Sequence, residues 1–248
     1  MKYFVDSEAK RIDLLDERWY KVMSNGKEHN LRSVTTFLES FPKGYPFRQW
    51  LKTAGFNADI IMKQAGEFGS KVHNLIEQSL KGETVQYNEL DGIEVWERFL
   101  TWLDWWKELN ENHEVKWSKD FVELITYDLE YQYAGTVDFV VKIDNEYVVV
   151  DWKTGNYIGD EAHIQLSAYT KSVERQFKIE IYKALIVWIP AKRPNKKGYR
   201  VIDVENINDN FEDFLHTQAL YFRTHKNEKP KYKTLPTTIN LKELENEN

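Results

Sequence analysis

Gly135-Thr-Val-Asp-Phe-Val-Val-Lys-Ile-Asp-Asn-Glu-Tyr-Val-Val-Val-Asp-Trp-Lys-Thr-Gly155 is the stretch on which the reading of this chain turns. Thr136 to Ile143 and Glu146 to Lys153 are rich in β-branched and aromatic residues. Asp144-Asn145 between them tolerates positive φ, which a two-residue hairpin loop requires. Centring the turn there sets 143 against 146, 141 against 148, and Asp138 against Asp151. Residues so opposed point to one face, with Cβ atoms about 4.5–5.5 Å apart. Two carboxylates in that position repel and weaken the sheet unless something compensates. Lys153, two residues past Asp151, shares the face by strand alternation. One ammonium offsets part of the charge; a hard divalent cation held by oxygens of both acids offsets more. Asp-x-Lys on a strand is commonly a solvated face. Here Val140, Val149, Val150 and Trp152 surround it, so the charges stand at the end of a buried hairpin, where an unpaired charge is costly.

The chain has 248 residues, 42% of them hydrophobic and 15% aromatic, enough for a sizeable core in one domain. It has no cysteine, which excludes disulfides, thiolate zinc sites and cysteine-ligated iron–sulfur clusters. No apolar run is long enough to span a membrane, and Met1 to Asp6 lacks a leader's apolar segment, so a cytoplasmic protein without membrane contact is expected. The formal charge of −6 opposes a phosphate-binding surface. A cation-binding acid cluster accounts for part of it. Lys192, Arg193, Lys196, Lys197 and Arg200 also crowd one turn, as a solvated hairpin tip or as a phosphate-binding edge.

Along the chain, Tyr3-Phe-Val5 and Arg18 to Val22, with the turn signal Asn25-Gly26, suggest a β meander over 1–32. Ser33 is placed to cap a helix over Val34 to Phe41. A second helix runs from Phe47 to Thr53. Asn57 is placed to cap a third, which Gly69-Ser70 should interrupt before a fourth from Lys71 to Leu80. Ile93 to Leu109 is helical with Trp96, Phe99, Leu100, Leu103 and Trp106 as its apolar stripe and Trp102 and Trp105 beside it. Glu114 to Thr126 reads as a strand with Phe121, Glu123 and Ile125 on one face. Asp160 to Gln176 is a helix that puts Gln165 and Tyr169 on one face. A strand over Tyr182 to Ile189, an edge strand over Tyr199 to Val204 and a helix over Ile207 to Lys226 follow, and a polar tail over 227–248 ends the chain.

In order, Gly69-Ser-Lys-Val-His73, Asp138, Asp151-Trp-Lys-Thr-Gly155 and Gln165-Leu-Ser-Ala-Tyr169 resemble the RecB-type branch of the PD-(D/E)XK nucleases. Ser33-Val-Thr-Thr-Phe-Leu38 and Ala65 to His73 resemble phage-type and mitochondrial genome-maintenance exonucleases of that branch. Val137 replaces the proline that usually precedes the first acid. The resemblance implies an α/β (α+β) fold with a restriction-endonuclease-like core, a mixed central sheet flanked by helices, and an N-terminal β/helical extension. It implies one nuclease domain: an N-terminal β segment over 1–32, a helical part over 33–110, a catalytic core over 114–226, and the tail.

The function it implies is a metal-dependent exonuclease acting on DNA ends or single-stranded tails. A structure-specific or nicking endonuclease with the same core, and a non-catalytic DNA-binding scaffold, are the alternatives. Mg²⁺ or Mn²⁺ would be held by Asp138, Asp151, His73 and the backbone carbonyl of Trp152, with Glu123 a further candidate ligand. An imidazole ligand suits Mn²⁺ better than Mg²⁺. Glu77, one turn beyond His73, would orient its ring. Lys153 would stabilise transition-state charge, since two nearby carboxylates favour its protonated form. Gln165 and Tyr169 would position Lys153 and touch DNA. Thr154, Ser33, Lys192, Arg193, Lys196 and Lys197 would complete the DNA contacts. No helicase motif occurs, so unwinding would fall to a helicase or recombination partner.

Overall fold

The central hairpin forms as its turn residues dictate. Asp144 and Asn145 both lie at positive φ (50° and 70°), the conformation a tight two-residue loop demands. The computed structural model describes residues 9–14, 17–226 and 228–230; Tyr3-Phe-Val5 and nearly all of the tail fall outside them. Strands β6 (Tyr133–Ile143) and β7 (Glu146–Lys153) pair antiparallel in the expected register, Ile143 with Glu146 and Val141 with Val148. Strand β8 (Ile181–Trp188) adds in parallel to β7, reached through helix α5 (Asp160–Phe177), and β9 (Arg200–Asp203) closes that edge antiparallel.

On the other side of β6 run β4 (Val115–Lys116) and β5 (Val122–Asp128), both antiparallel to it. Strands β1 (Ala9–Leu14), β2 (Glu17–Ser24) and β3 (Lys27–Ser33) form the expected meander. It joins the main sheet through a short parallel pairing of Arg32 and Ser33 with Tyr133 and Ala134. The result is one mixed sheet flanked by helices.

Two apolar layers cover the sheet. On one face α1 (Val34–Leu38), α5 and α6 (Ile207–Thr224) bury Phe37, Tyr169 and Phe214. On the other, α3 (Ala58–Leu80) and α4 (Ile93–Asn112) bury Val72, Trp102 and Trp105. The α4 stripe is rotated from the expected one: Val95, Phe99, Trp102 and Trp105 are buried, whereas Leu100 is exposed. Helix α3 is also not interrupted at Gly69-Ser70. The Ser70 hydroxyl donates to Gly66 O (3.0 Å) inside the helix, and Gly69 leaves room for Thr154, whose Oγ1 would lie 3.2 Å from an added Cβ. Asn57 does not cap that helix through its side chain. Helix α2 (Tyr45–Ala54) lies where the second helix was expected. Among the described residues no helix is long and apolar enough to cross a membrane.

One irregularity positions the site. Pairing of β3 with β6 ends at Ala134, and pairing of β7 begins at Phe139, on the same edge of β6. Gly135 to Asp138 therefore lie in a fork between two diverging strands. There the alternation of faces also breaks: Val137 packs against α5, yet Phe139, two residues on, packs toward α4. Strand β5 makes the same switch between Leu124 and Val122. Glu123 between them adopts φ 53°, in the left-handed region that carboxylate residues seldom enter on a strand. The expected simple alternation of 121, 123 and 125 on β5 therefore does not hold.

Candidate active site

A cleft of about 430 Å³ opens at this fork, and the charged residues of the central hairpin line it. Regular pairing of β6 with β7 stops one residue short of Asp138. Instead of facing Asp151 across a ladder, Asp138 turns its carboxylate along the strand and accepts from the Trp152 amide (Oδ2, 2.7 Å). This satisfies a backbone donor that the fork leaves without a carbonyl. It also corrects the expectation of a plain cross-strand pair.

The other Asp138 oxygen lies 3.5 Å from His73 Nδ1. His73 Nε2 is 3.0 Å from the Trp152 carbonyl, and a carbonyl can only accept, so Nε2 carries a proton and Nδ1 faces the acids. The Trp152 carbonyl, expected as a ligand of the ion, thus orients the imidazole through one of its two lone pairs. Glu77, expected to orient that ring, pairs with Lys81 on its own helix.

Glu123 comes from β5, opposite Asp138 in the β5–β6 register. Its carboxylate, that of Asp138 and a ring nitrogen of His73 all lie within 4.8 Å of one another. Asp151 is almost fully buried beside them and sits outside that set of three. Its Oδ2 is paired with Lys153 Nζ at 2.8 Å and meets no other donor. A buried carboxylate oxygen with a single partner has a lone pair left for a cation. The donor set, carboxylate oxygens with one imidazole, is that of a hard divalent ion. The residues present fit such an ion.

The electrostatics carry the same signature. Burial lifts the Glu123 carboxyl, and Asp138 beside it adds to the rise, to about 8. Burial raises Asp151 to about 6, with Asp138 adding and Lys153 opposing. Burial works against the His73 imidazolium, but Asp138 and then Asp151 outweigh it and hold the ring protonated up to about 9. Asp138 itself is lowered: burial opposes its charge, and His73, Lys153 and the Trp152 amide prevail. Burial likewise opposes the Lys153 charge, but Asp151 and Asp138 raise its pKa, so it is an ammonium at neutral pH.

Lys153 donates to Gln165 Oε1 (3.1 Å), and Gln165 Nε2 donates to the Tyr169 hydroxyl (3.0 Å). The chain Asp151–Lys153–Gln165–Tyr169 crosses from β7 to α5. Tyr169 is only 3% exposed, so it anchors Gln165 from within the core and offers little surface to a ligand. Its ring lies on Gly135, where an added Cβ would stand 2.3 Å from Tyr169 Cε1.

The outer residues divide. Ser33 is buried, and its hydroxyl accepts from Thr36 N (3.0 Å) as the cap of α1, so it has no surface to offer a phosphate. Thr35, two residues on, reaches the cleft in its place. The basic turn leaves β8 beside Lys153, where Ile189 N donates to Lys153 O (2.8 Å), then runs along α4. Lys197 pairs there with Glu108, and Lys192, Arg193 and Lys196 are exposed without lining the cleft. Arg11, Arg18 and Thr136 line the cleft and carry no local motif. Their placement depends on the β3–β6 pairing, which no short window of sequence contains.

Residues 45–237 match the family model described as the PD-(D/E)XK nuclease superfamily. No curated protein sequence matches the chain. Among solved structures, similarity is found to SSO0001 (14% identity, 57% of this chain and 64% of that one, TM-score 0.35), so the chain spans less than two thirds of that relative's length. It is also found to a candidate exonuclease from Eubacterium rectale (14%, 73% and 78%, TM-score 0.45) and to an alkaline exonuclease from Laribacter hongkongensis (10%, 78% and 90%, TM-score 0.34).

Proposed function

Because this chain belongs to the PD-(D/E)XK nuclease superfamily, whose members use divalent metal ions, we propose that it is a Mg²⁺- or Mn²⁺-dependent DNA exonuclease of the RecB-type branch. Its substrates in this reading are DNA ends or single-stranded tails. The observation that supports it is the convergence of Glu123, Asp138, Asp151 and His73 in one cleft, beside an ammonium held by Gln165.

Asp138, Asp151, Glu123 and Nδ1 of His73 are the groups that would hold the ion. When bound, it supplies a Lewis acid for the phosphate and lowers the pKa of a water. The protein's own part is positional and electrostatic. Lys153, kept cationic by its two acids, faces the charge that grows on the scissile phosphate as the P–O bond breaks. Gln165 takes one ammonium hydrogen and so aims Nζ, and Tyr169 fixes Gln165. The Trp152 carbonyl sets the tautomer of His73. The exposed Lys192, Arg193 and Lys196 would meet backbone beyond the cleft, and Thr154 lies against Gly69 of its lining.

Incubation of the protein with labelled linear duplex, closed-circular and single-stranded DNA, with and without Mn²⁺, tests the reading. Metal-dependent shortening from ends is expected. Cutting of closed circles would instead select an endonuclease with this core, and binding without cutting a scaffold.

A further inference from the structure

Part of the cleft wall is built by the β1–β2 hairpin. Arg11 pairs with Tyr20 and Asp13 with Arg18 in its register, so all four side chains share one face. Tyr20 is buried, and its hydroxyl lies 2.9 Å from Thr136 Oγ1, two residues before Asp138. That contact turns the shared face into the cleft, which Arg11 and Arg18 both line.

The two guanidiniums are held in one way. Arg11 Nε donates to Asp13 Oδ1 (3.1 Å), and Arg18 Nε donates to the same oxygen (3.3 Å). One carboxylate thus holds two cations side by side through their inner nitrogens. Their terminal nitrogens donate no hydrogen bond among the described residues. The side chains are 36% and 39% exposed, within reach of a ligand in the cleft. Two charges sharing one counter-charge leave a surplus positive charge and two planar donor forks. That combination matches the oxygens of a phosphate.

A strand that lays one phosphodiester over the acids must carry its next phosphates along the cleft walls. We propose that Arg11 and Arg18 form a subsite for a backbone phosphate flanking the scissile one, with Asp13 as the residue that positions them. The proposal rests on the nuclease reading above. It also accounts for how an acidic protein draws a polyanion to an acidic cleft: the positive charge is concentrated at the cleft wall.

Steady-state cleavage of a labelled single strand in Mn²⁺, over a series of salt concentrations, tests it. Arg11→Gln/Arg18→Gln should raise KM by about a hundredfold, about tenfold for each charge-assisted hydrogen bond to phosphate that is removed. The log–log salt slope of kcat/KM should fall by about 0.7 for each phosphate that is no longer neutralised. The Mn²⁺ concentration giving half-maximal rate should move far less than KM. Arg11→Lys/Arg18→Lys keeps both charges but removes the forks, and should show an intermediate KM; it decides the matter if the glutamine variant does not fold. An unchanged KM and salt slope in a folded variant would overturn the subsite while leaving the nuclease reading intact. A change traced wholly to a shifted Mn²⁺ requirement would also overturn it, making the arginines counter-charges for the acids. Wild-type protein that neither binds nor cuts DNA would remove the nuclease reading and the subsite together.

Discussion

At the scale of residues, the site is a set of groups holding the wrong protons for their work. Near pH 7 Glu123, raised to about 8, and His73, raised to about 9, both keep a proton in the free protein. An ion taken up by the set must displace them, so affinity should rise with pH from about 6, where Asp151 ionises, and level off above about 9. Calorimetry of Mn²⁺ binding in buffers of different ionisation enthalpy should show release of about two protons per ion at pH 7. Release of none would remove His73 and Glu123 from the ligand set. Lys153→Ala should keep DNA binding and lose about 10²–10³-fold in cleavage rate, since its ammonium acts on developing charge. Gln165→Ala, which only frees Lys153 to wander, should cost about tenfold in kcat with KM little changed.

That Asp138, Asp151 and Lys153 would gather at the end of one hairpin was legible in the sequence, because strand alternation and a two-residue turn fix register from local residues alone. The position of the Asp138 carboxylate was not. It depends on a backbone amide, Trp152 N, that only the fork leaves unpaired. Glu123 was legible as a candidate ligand but with the wrong geometry, because its positive φ is imposed by the face switch and not by its own preferences.

At the scale of elements, the fork needs a residue without a side chain. Gly135 receives the ring of Tyr169, which in turn fixes Gln165 and Lys153. Gly135→Ala must push that buried ring aside, at a cost of about 1–3 kcal/mol in stability. Chemical denaturation checks the cost. A parallel activity assay should show a loss at least as large as that of Gln165→Ala, because the same anchor is displaced. Tyr169→Leu, in a chain that keeps Gly135, should reproduce the activity loss. Existence and type of most described elements were readable from periodicity, since β-branched runs and turn residues act locally; the strand expected over Glu114 to Thr126 is instead divided into β4 and β5 by a 3-10 turn at Lys119–Phe121. The errors arose where tertiary packing overrides local preference. Helix α3 runs through Gly69-Ser70 because Ser70 bonds within the helix and Gly69 is needed for the approach of Thr154. The α4 stripe is rotated because its tryptophans meet Trp152 on the sheet, with Trp105 and Trp152 ring centroids 5.3 Å apart.

At the scale of the whole molecule, the sheet holds two apolar layers apart and opens at a single fork, where the acids are gathered. Filling that cleft with a divalent ion should stabilise the entire fold by mass action. At Mn²⁺ about 100-fold above its Kd, the gain is about 2.7 kcal/mol, seen as a rise in melting temperature that chelator reverses. The net charge of −6 was a poor guide to function, because charge is distributed by topology. Arg11 and Arg18 reach the cleft only through the pairing of β3 with β6, and no window of sequence around them reveals it.

The most direct test of the account is Mn²⁺ binding by calorimetry, set beside cleavage of end-labelled linear DNA, in wild-type protein, Asp138→Asn and Asp151→Asn. The wild type is expected to bind the ion and shorten the DNA, and each variant, still folded, to lose both together. Either variant cutting DNA at the wild-type rate, or binding Mn²⁺ with wild-type affinity, would contradict it.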